Sequence, residues 1–364
     1  MKRPSPNDVF FSRSRRNAAQ GPGILQVCED PSSGSYEVGD GKDALGSGLM
    51  KAALLVIMPL AILLCQSCSQ KNDNSVKIGV CKVVEHEAIN SVVAGMEDYL
   101  RKHRRCRIFV ETCQGNMALA SQIITKFIGS ETDVVVTVGT TPSQSAFQFA
   151  KNGKIKLVFG SVTNPGDISV DLAGRNVTGV SNFVDLGPQI RIFKKIQPNL
   201  RSMGIIYNTG EANSVSIIKR LRKACEKNGV TLMEQGIARL SEISQAAGRL
   251  SGMVDAVFIT NDNLALSGIS YVVAVCSRSK IPVYVSDVDQ VPKGCLAALG
   301  PNQYDVGVQV GKMVERIADG EDVNKIAVEY PNVCELHVNL KAAKTLGLVV
   351  PKDVIAQAKN VIGE

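Results

Sequence analysis

The run Asp133–Val138, DVVVTV, constrains this chain more than any other stretch, because it places apolar or β-branched residues on both faces of an extended segment. A strand with one face in water alternates, whereas a strand covered on both sides reads as a continuous apolar run. The run therefore predicts a buried strand in a parallel sheet, and parallel neighbours require crossovers, usually helices. The flanking sequence supplies them. Val76–Val80 is a short β-rich run, Ala88–Arg101 has apolar residues at helical spacing, Arg107–Glu111 is the next strand and Ala118–Ile128 the next helix. After the DVVVTV run come the helix Pro142–Lys151 and the strand Leu157–Ser161. The scheme restarts at Met203–Tyr207, with helix Val215–Asn228, strand Thr231–Glu234, helix Glu242–Leu250 and strand Ala256–Thr260. Helix Leu266–Arg278 and strands Val283–Ser286 and Cys295–Leu299 complete the second set. A further helix is predicted over Asn302–Gly320 and a late strand, returning between the halves, over Cys334–Val338. Strict alternation of this kind predicts an α/β protein with two doubly wound parallel-sheet lobes and a ligand cleft between them. The expected boundaries are residues 76–183 plus 301–333 for the first lobe and 184–300 plus 334–364 for the second.

The chain has 364 residues, enough for two such lobes. A net charge of +7, without a dense Lys/Arg cluster or interleaved aromatics, speaks against a nucleic-acid partner. Of the ten cysteines, only Cys65 and Cys68 stand at the spacing of a dithiol or metal pair. Zinc asks for four ligands, and His86, His103 and His337 lie too far apart in sequence to form a second ligand pair, so no metal or other cofactor is expected. The seven cysteines beyond Cys68 sit mostly in apolar runs, where a small buried thiol is the ordinary reading.

Cys65 and Cys68 close a different kind of segment. After Met50 and Lys51, thirteen residues, Ala52–Leu64, carry no charge, which is too short to span a bilayer but right for the apolar part of a secretory signal. The segment resembles bacterial lipoprotein signals, in which the cysteine following cleavage receives the lipid. Ser67 supplies the small preceding residue for Cys68, whereas Leu64 before Cys65 is bulky. The resemblance implies that residues 50–67 are a signal peptide and that Cys68 is the lipid attachment site. Acyl chains of the palmitate class would then hold the protein at a bacterial membrane, several chains being needed for stable anchoring. Residues 68–75 form a polar tether. Residues 1–49, rich in Ser, Gly, Pro and Arg without apolar periodicity, are expected to be disordered or non-native, with Met50 as the natural start.

In parallel sheets, ligand contacts gather in the loops that follow the strands. Those loops read Val84-Glu85-His86, Gly139-Thr140-Thr141-Pro142 and Val162-Thr163-Asn164-Pro165 in the first half. The second half offers Asn208 to Ser214, Thr260-Asn261-Asp262-Asn263 and Ser286-Asp287. The helix starts after Thr140-Thr141 and Asn213-Ser214 suit an anion such as a carboxylate. Asp262 and Asp287 suit a ligand ammonium. Each of these residues is also an ordinary helix cap or turn former, contributing about 1 kcal/mol without any ligand. Enzyme signatures are missing: no G-x-G-x-x-G follows the first strand, and neither a G-x-x-x-x-G-K-[ST] loop nor a G-x-S-x-G elbow occurs.

Several long phrases, in order, resemble the ABC-transporter substrate-binding family that includes tryptophan- and tyrosine-type binding lipoproteins. They include VVEHEAIN, DVVVTVGTTPSQSA, VFGSVTNPGD, GRNVTGVSNFVD, GIIYNTGEANSV, FITNDNLALS, ALGPNQYDVGVQVGKM and VNLKAAKTLGLVVP, spanning about Val76 to Ile362. The resemblance implies a type I periplasmic-binding-protein fold whose lobes close over a small ligand, with aromatic amino acids as the ligand class. It implies Glu85 and His86 at the cleft entrance, Thr140 and Thr141 at the ligand carboxylate, and Thr163 in the loop beside them. On the second lobe it implies Asn208, Asn213 and Ser214 as lining and Asp262, Asn263 and Asp287 at the polar end. Asn164 departs from the Asp that many relatives carry in S-V-T-N-P. Phe183 and Tyr207 are available either to stack on an aromatic ligand or to pack in the core. The expected partners are an ABC permease with a separate ATPase subunit, reached by an exported, lipid-anchored protein that performs no covalent chemistry. The alternatives are a ligand-sensing subunit of a signalling receptor and an enzyme on a similar scaffold.

Overall fold

The computed structural model describes residues 75–169 and 171–363. The extension 1–49, the signal 50–67, Cys68 and the tether up to residue 74 lie outside the described residues.

The first sheet has the order β2-β1-β3-β4-β5, all neighbours parallel. Its strands are β1 (Val76–Lys82), β2 (Cys106–Thr112), β3 (Val134–Val138), β4 (Leu157–Val162) and β5 (Val177–Ser181). Three helices make the crossovers: α1 (Glu87–His103), α2 (Met117–Gly129) and α3 (Thr140–Ala150). The DVVVTV run is the central strand and every residue of β3 is buried. Val134, Val136 and Val138 face the core under α1, while Val135 faces the core under α2 and α3. This two-sided burial is why the sequence shows no alternation there.

The second sheet, β12-β11-β10-β9-β8-β6-β7, is parallel except that β11 runs antiparallel to β10. Its strands are β6 (Ser202–Asn208), β7 (Thr231–Ile237), β8 (Ala256–Ile259), β9 (Val283–Val285), β10 (Ala297–Pro301), β11 (Cys334–Asn339) and β12 (Asn360–Ile362). On one face pack α4 (Leu186–Ile196), α5 (Ala212–Lys227), α10 (Leu340–Leu346) and α11 (Lys352–Gln357). On the other pack α6 (Ile243–Ser251), α7 (Asn263–Ser267) and α8 (Ile269–Arg278). Phe193 stacks on Tyr284 at 4.2 Å between centroids and meets Phe258 edge-on at 5.2 Å, anchoring α4 to the sheet.

The remaining long helix, α9 (Gln303–Ala318), follows a strand of the second sheet but packs on α1 of the first. Glycine makes the approach possible. A Cβ on Gly95 would stand 2.0 Å from the Tyr304 carbonyl oxygen, and one on Gly307 would stand 2.1 Å from that of Val92. The chain thus crosses between lobes three times: after β5, between β10 and α9, and between Glu329, bridged to Val180, and β11.

The structure departs from the sequence reading in four places. Strand β5 and helix α4 were not anticipated, because VTGVS mixes small polar residues into a fully buried strand. The helix expected over Leu266–Arg278 starts earlier and breaks at Gly268 into α7 and α8. The short elements α10, α11 and β12 at the end carry too little periodicity to be read. The second sheet is mixed rather than wholly parallel, since β11 enters by a lobe crossing and not by a helical crossover.

Candidate ligand-binding cleft

The carboxyl ends of both sheets face each other across a narrow cavity whose free space is about 20 Å³. That is room for about one water, far below the roughly 300–1,000 Å³ of small-molecule sites, so a ligand of amino-acid size enters only with the lobes further apart. From the first lobe it is lined by His86, Ala88 and Ile89 after β1, Gly139 and Thr140 after β3, and Ser161 and Thr163 at the end of β4. The second lobe adds Asn213, Asn261, Asn263, Leu266 and Asp287, and two crossing segments add Asn182 and Gln303. The lobes touch around it. The Asn261 Nδ2 donates to the Asn182 carbonyl at 3.0 Å, the Asn164 Nδ2 to the Ser216 hydroxyl at 3.2 Å, and Lys293 pairs with Glu87 at 2.7 Å.

Three helices start at the cavity without a side-chain cap: α1 after His86, α3 after Gly139 and α5 after Glu211. Their first-turn N–H groups have no intrahelical partner, and the partial positive charge of each helix start adds to their donor character. Gly139 brings α3 there through a φ of +98°, and a Cβ on it would stand 2.7 Å from Val83 Cγ1. Opposite in charge is Asp287, which is fully buried at the end of β9. Its carboxylate caps a 3-10 turn through the Asp289 N–H at 3.1 Å and accepts the Gln290 amide at 2.9 Å, leaving lone pairs free. Burial raises its pKa, so a cationic partner would stabilise the charged form.

A second polar group forms the floor. Ser161 sits at a bulge in β4 with φ +56°, a conformation that costs a non-glycine residue on the order of 1 kcal/mol. Its hydroxyl donates to Gln303 Oε1 at 3.1 Å, and Gln303 Nε2 donates to Asn182 Oδ1 at 3.3 Å. The strained residue is thereby tied to both adjacent lobe crossings.

Of the residues expected at the site, His86, Thr140, Thr163, Asn213, Asn263 and Asp287 line the cavity, and five do not. Glu85 is exposed and holds Lys82 and the Thr112 hydroxyl, contacts that lower its pKa. Thr141 is the half-buried second residue of α3. Asn208 closes a turn, accepting the Gly210 N–H at 2.9 Å and donating to Glu211 at 3.0 Å. Asp262 is buried as the cap of α7, accepting the Ala265 N–H at 2.7 Å, the Ser214 hydroxyl at 2.6 Å and the Asn208 N–H. Burial, and then Glu211 nearby, push its pKa up to about 6. Ser214 is therefore occupied by Asp262 and does not line the cavity. Asn208, Ser214 and Asp262 serve a turn and a helix start, the local roles that Asn, Asp and Ser perform as readily as ligand contact.

Phe183 and Tyr207 do not line the cavity either. Arg220 lies over the Phe183 ring at 4.7 Å, and Tyr207 packs against the core of the second sheet. The lining residues that sequence reasoning missed are Ser161, Asn182, Gln303 and the apolar Ala88, Ile89 and Leu266, while Asn261 stood in an expected loop without being singled out. Asn182 directly follows the unanticipated β5, and Gln303 opens a helix, so neither stood in a recognised loop after a strand. Among the described residues no three His, Cys, Asp or Glu side chains converge to hold a metal ion.

The chain is 28% identical over 289 residues to a tyrosine-binding protein of Clostridioides difficile (strain R20291), covering 77% of this chain and 82% of that one. The fold matches the crystal structure of an ABC domain in complex with L-Trp from Streptococcus pneumonia, with TM-score 0.74, 27% identity and coverage of 79% and 100%. A ligand-free, open substrate binding protein from Clostridium difficile matches with TM-score 0.61 at 28% identity and the same coverage. At equal coverage and near-equal identity, the overall similarity is higher to the L-Trp complex than to the open form. A family model described as ABC transporter substrate binding protein matches residues 77–362, so with its two parallel-sheet lobes this chain belongs to that family and has the type I periplasmic-binding-protein fold.

Proposed function

We propose that this chain is the exported, lipid-anchored binding component of an ABC import system and that it closes over a single amino acid, aromatic in class. The observation that carries the reading is the charge layout of the cavity. Uncapped helix starts with Thr140 stand on the first lobe, and the buried Asp287 stands on the second. That layout suits a zwitterion, with the carboxylate at the α3 start and the ammonium at Asp287. Binding stabilises the closed form by the difference in ligand affinity between closed and open lobes, and no bond is made or broken. The relatives named for tyrosine and for L-Trp support the aromatic class. The lipid anchor at Cys68, the signal at 50–67 and delivery to a permease with a separate ATPase are parts of the same proposal. So is the division into lobes of 76–183 plus 301–333 and 184–300 plus 334–364. The binding residues proposed are His86, Thr140, Thr163, Asn213, Asn263 and Asp287.

Titration calorimetry against tyrosine, tryptophan and phenylalanine, with myo-inositol and ribose as controls, tests the ligand class. Micromolar binding of an aromatic amino acid, weakened at least about 10-fold by Asp287→Asn, is expected for loss of a charge-assisted contact. Binding of a sugar alone would overturn it. Intact-mass measurement of the membrane-extracted protein tests the anchor: an unmodified Cys68 would remove it.

A further inference from the structure

His86 stands between β1 and α1, and one of its nitrogens has no partner. Its Nε2 lies 3.4 Å from Asn263 Oδ1 on the opposite lobe, while its Nδ1 is buried without a hydrogen-bond partner. Which nitrogen carries the proton follows from Glu211. The carboxylate of Glu211 can only accept, and it receives the Asn263 side-chain amide at 2.7 Å and the Asn263 backbone N–H at 3.3 Å. The Asn263 nitrogen is therefore turned to Glu211 and its oxygen to His86. An oxygen there requires a donor, so the proton sits on Nε2. Burial, with the charge of Lys293 nearby, lowers the His86 pKa and keeps the ring neutral. The Nδ1 is then a bare lone pair.

A buried acceptor with no donor is costly, and native interiors rarely tolerate one. This one belongs to a cavity-lining residue whose neighbours in the lining include the apolar Ala88 and Ile89 on one lobe and Leu266 on the other. Three apolar side chains beside one unanswered neutral acceptor fit a ligand group that is apolar along its body and ends in one N–H or O–H, whereas the charged Asp287 elsewhere in the lining suits the ammonium. We propose that His86 Nδ1 accepts a hydrogen bond from the ligand side chain, so that the site selects a phenol or an indole over a donor-free ring. Glu211, which does not line the cavity, is a positioning residue that sets this preference through Asn263. The proposal rests on the amino-acid reading given above and narrows it.

The test uses the full chain and pairs of ligands differing in one donor: tyrosine against phenylalanine, and tryptophan against 1-methyltryptophan. At least one donor-bearing ligand is expected to bind 10-fold or more tightly than its donor-free partner. In His86→Phe that ratio should fall to about one, and a cooperative thermal unfolding transition shows that the variant is folded. Nitrogen-15 spectra of the ligand-free protein should show an unprotonated Nδ1, and Glu211→Gln should move the ring toward a tautomer mixture and shrink the ratio. Equal binding within each pair, a ratio that survives His86→Phe, or a protonated Nδ1 in the free protein would overturn the inference while leaving the amino-acid reading intact. If none of these amino acids bound, that reading would fall and this inference with it.

Discussion

The two lobes present similar polar loops to the cleft but use them differently. On the first lobe, α1 and α3 begin at the cavity with no side-chain cap, and the hydroxyls of Thr140 and Thr163 lie in the lining. On the second lobe, the loop residues bind one another. Asp262 gathers Ser214 and two backbone N–H groups, and Glu211 gathers Asn208, Asn213 and Asn263. Uncapped helix starts occur on both lobes, since α5 also begins at the cavity without a cap, but the side chains of the second lobe are held by an internal network. Polar residues at a sheet end therefore mark either a binding surface or the scaffold beneath one, and only the identity of their partners separates the two.

The sharpest way to break this contrast is at Asp262. Asp262→Ala removes the α7 cap and leaves the Ser214 hydroxyl and the Asn208 N–H without their acceptor. A loss of roughly 2–4 kcal/mol is expected in denaturant unfolding, from a cap of about 1 kcal/mol plus buried groups left unsatisfied. The corresponding change on the first lobe, Thr140→Val, should leave stability nearly unchanged and lower ligand affinity. If Asp262→Ala were neutral and Thr140→Val unfolded the protein, the assignment of scaffold and surface would be reversed.

Gly139→Ala probes how the first lobe opens its helix start. The new methyl would meet Val83 in a backbone conformation that L-residues rarely adopt. A destabilisation of roughly 1–3 kcal/mol is expected, together with weaker ligand binding as α3 retreats from the cavity. Unchanged binding would detach the α3 start from the ligand.

Next in size is a pH effect that spans both lobes. A ligand donor needs the neutral His86, whose pKa lies below the ordinary histidine value of about 6.5 because the ring is buried. Protonation turns Nδ1 from acceptor to donor. Affinity should therefore be flat above the His86 pKa and fall as pH drops through it, by about 10-fold for one lost hydrogen bond. The charged groups facing the ring are Lys293, Glu211 and Glu87. Asp262, with its pKa near 6, and Asp287, whose pKa burial also raises, titrate nearby, so the part owed to His86 is the difference between the protein and His86→Phe. Calorimetry across the acid range in both proteins decides it.

Much of the fold was legible because its strongest signals are local. Continuous apolar runs marked β3 and β8, helical spacing marked α1, α5 and α9, and their order implied two parallel-sheet lobes. Where the signal failed, packing overrode composition: β5 is buried on both faces yet reads VTGVS, and Gly268 splits one apparent helix into two. The cleft was legible as a set of loops and less so residue by residue. Asp287 and Asp262 look alike in sequence, each closing a strand and preceding a helical turn. Asp287 lines the cavity with free lone pairs, whereas three donors occupy Asp262. Ser161 and Gln303 come together only because the chain crosses between lobes and returns, 142 residues later, to the same floor. Such a pair leaves no spacing signature.

The smallest expected effect concerns what holds the lobes shut without ligand. Lys293 of the second lobe pairs with Glu87 of the first at 2.7 Å, and both side chains are a third or more exposed. Water and salt screen such a pair, so its contribution to closure is below about 1 kcal/mol. Lys293→Gln should thus lower ligand affinity by less than about 5-fold, with the difference vanishing at high salt. A much larger loss that persisted at high salt would mean that Lys293 supports the cavity itself, through the Gln290 oxygen it also holds at 3.0 Å and hence through the Asp287 carboxylate. The salt series separates these outcomes, because an exposed ion pair is screened whereas a buried hydrogen-bond chain is not.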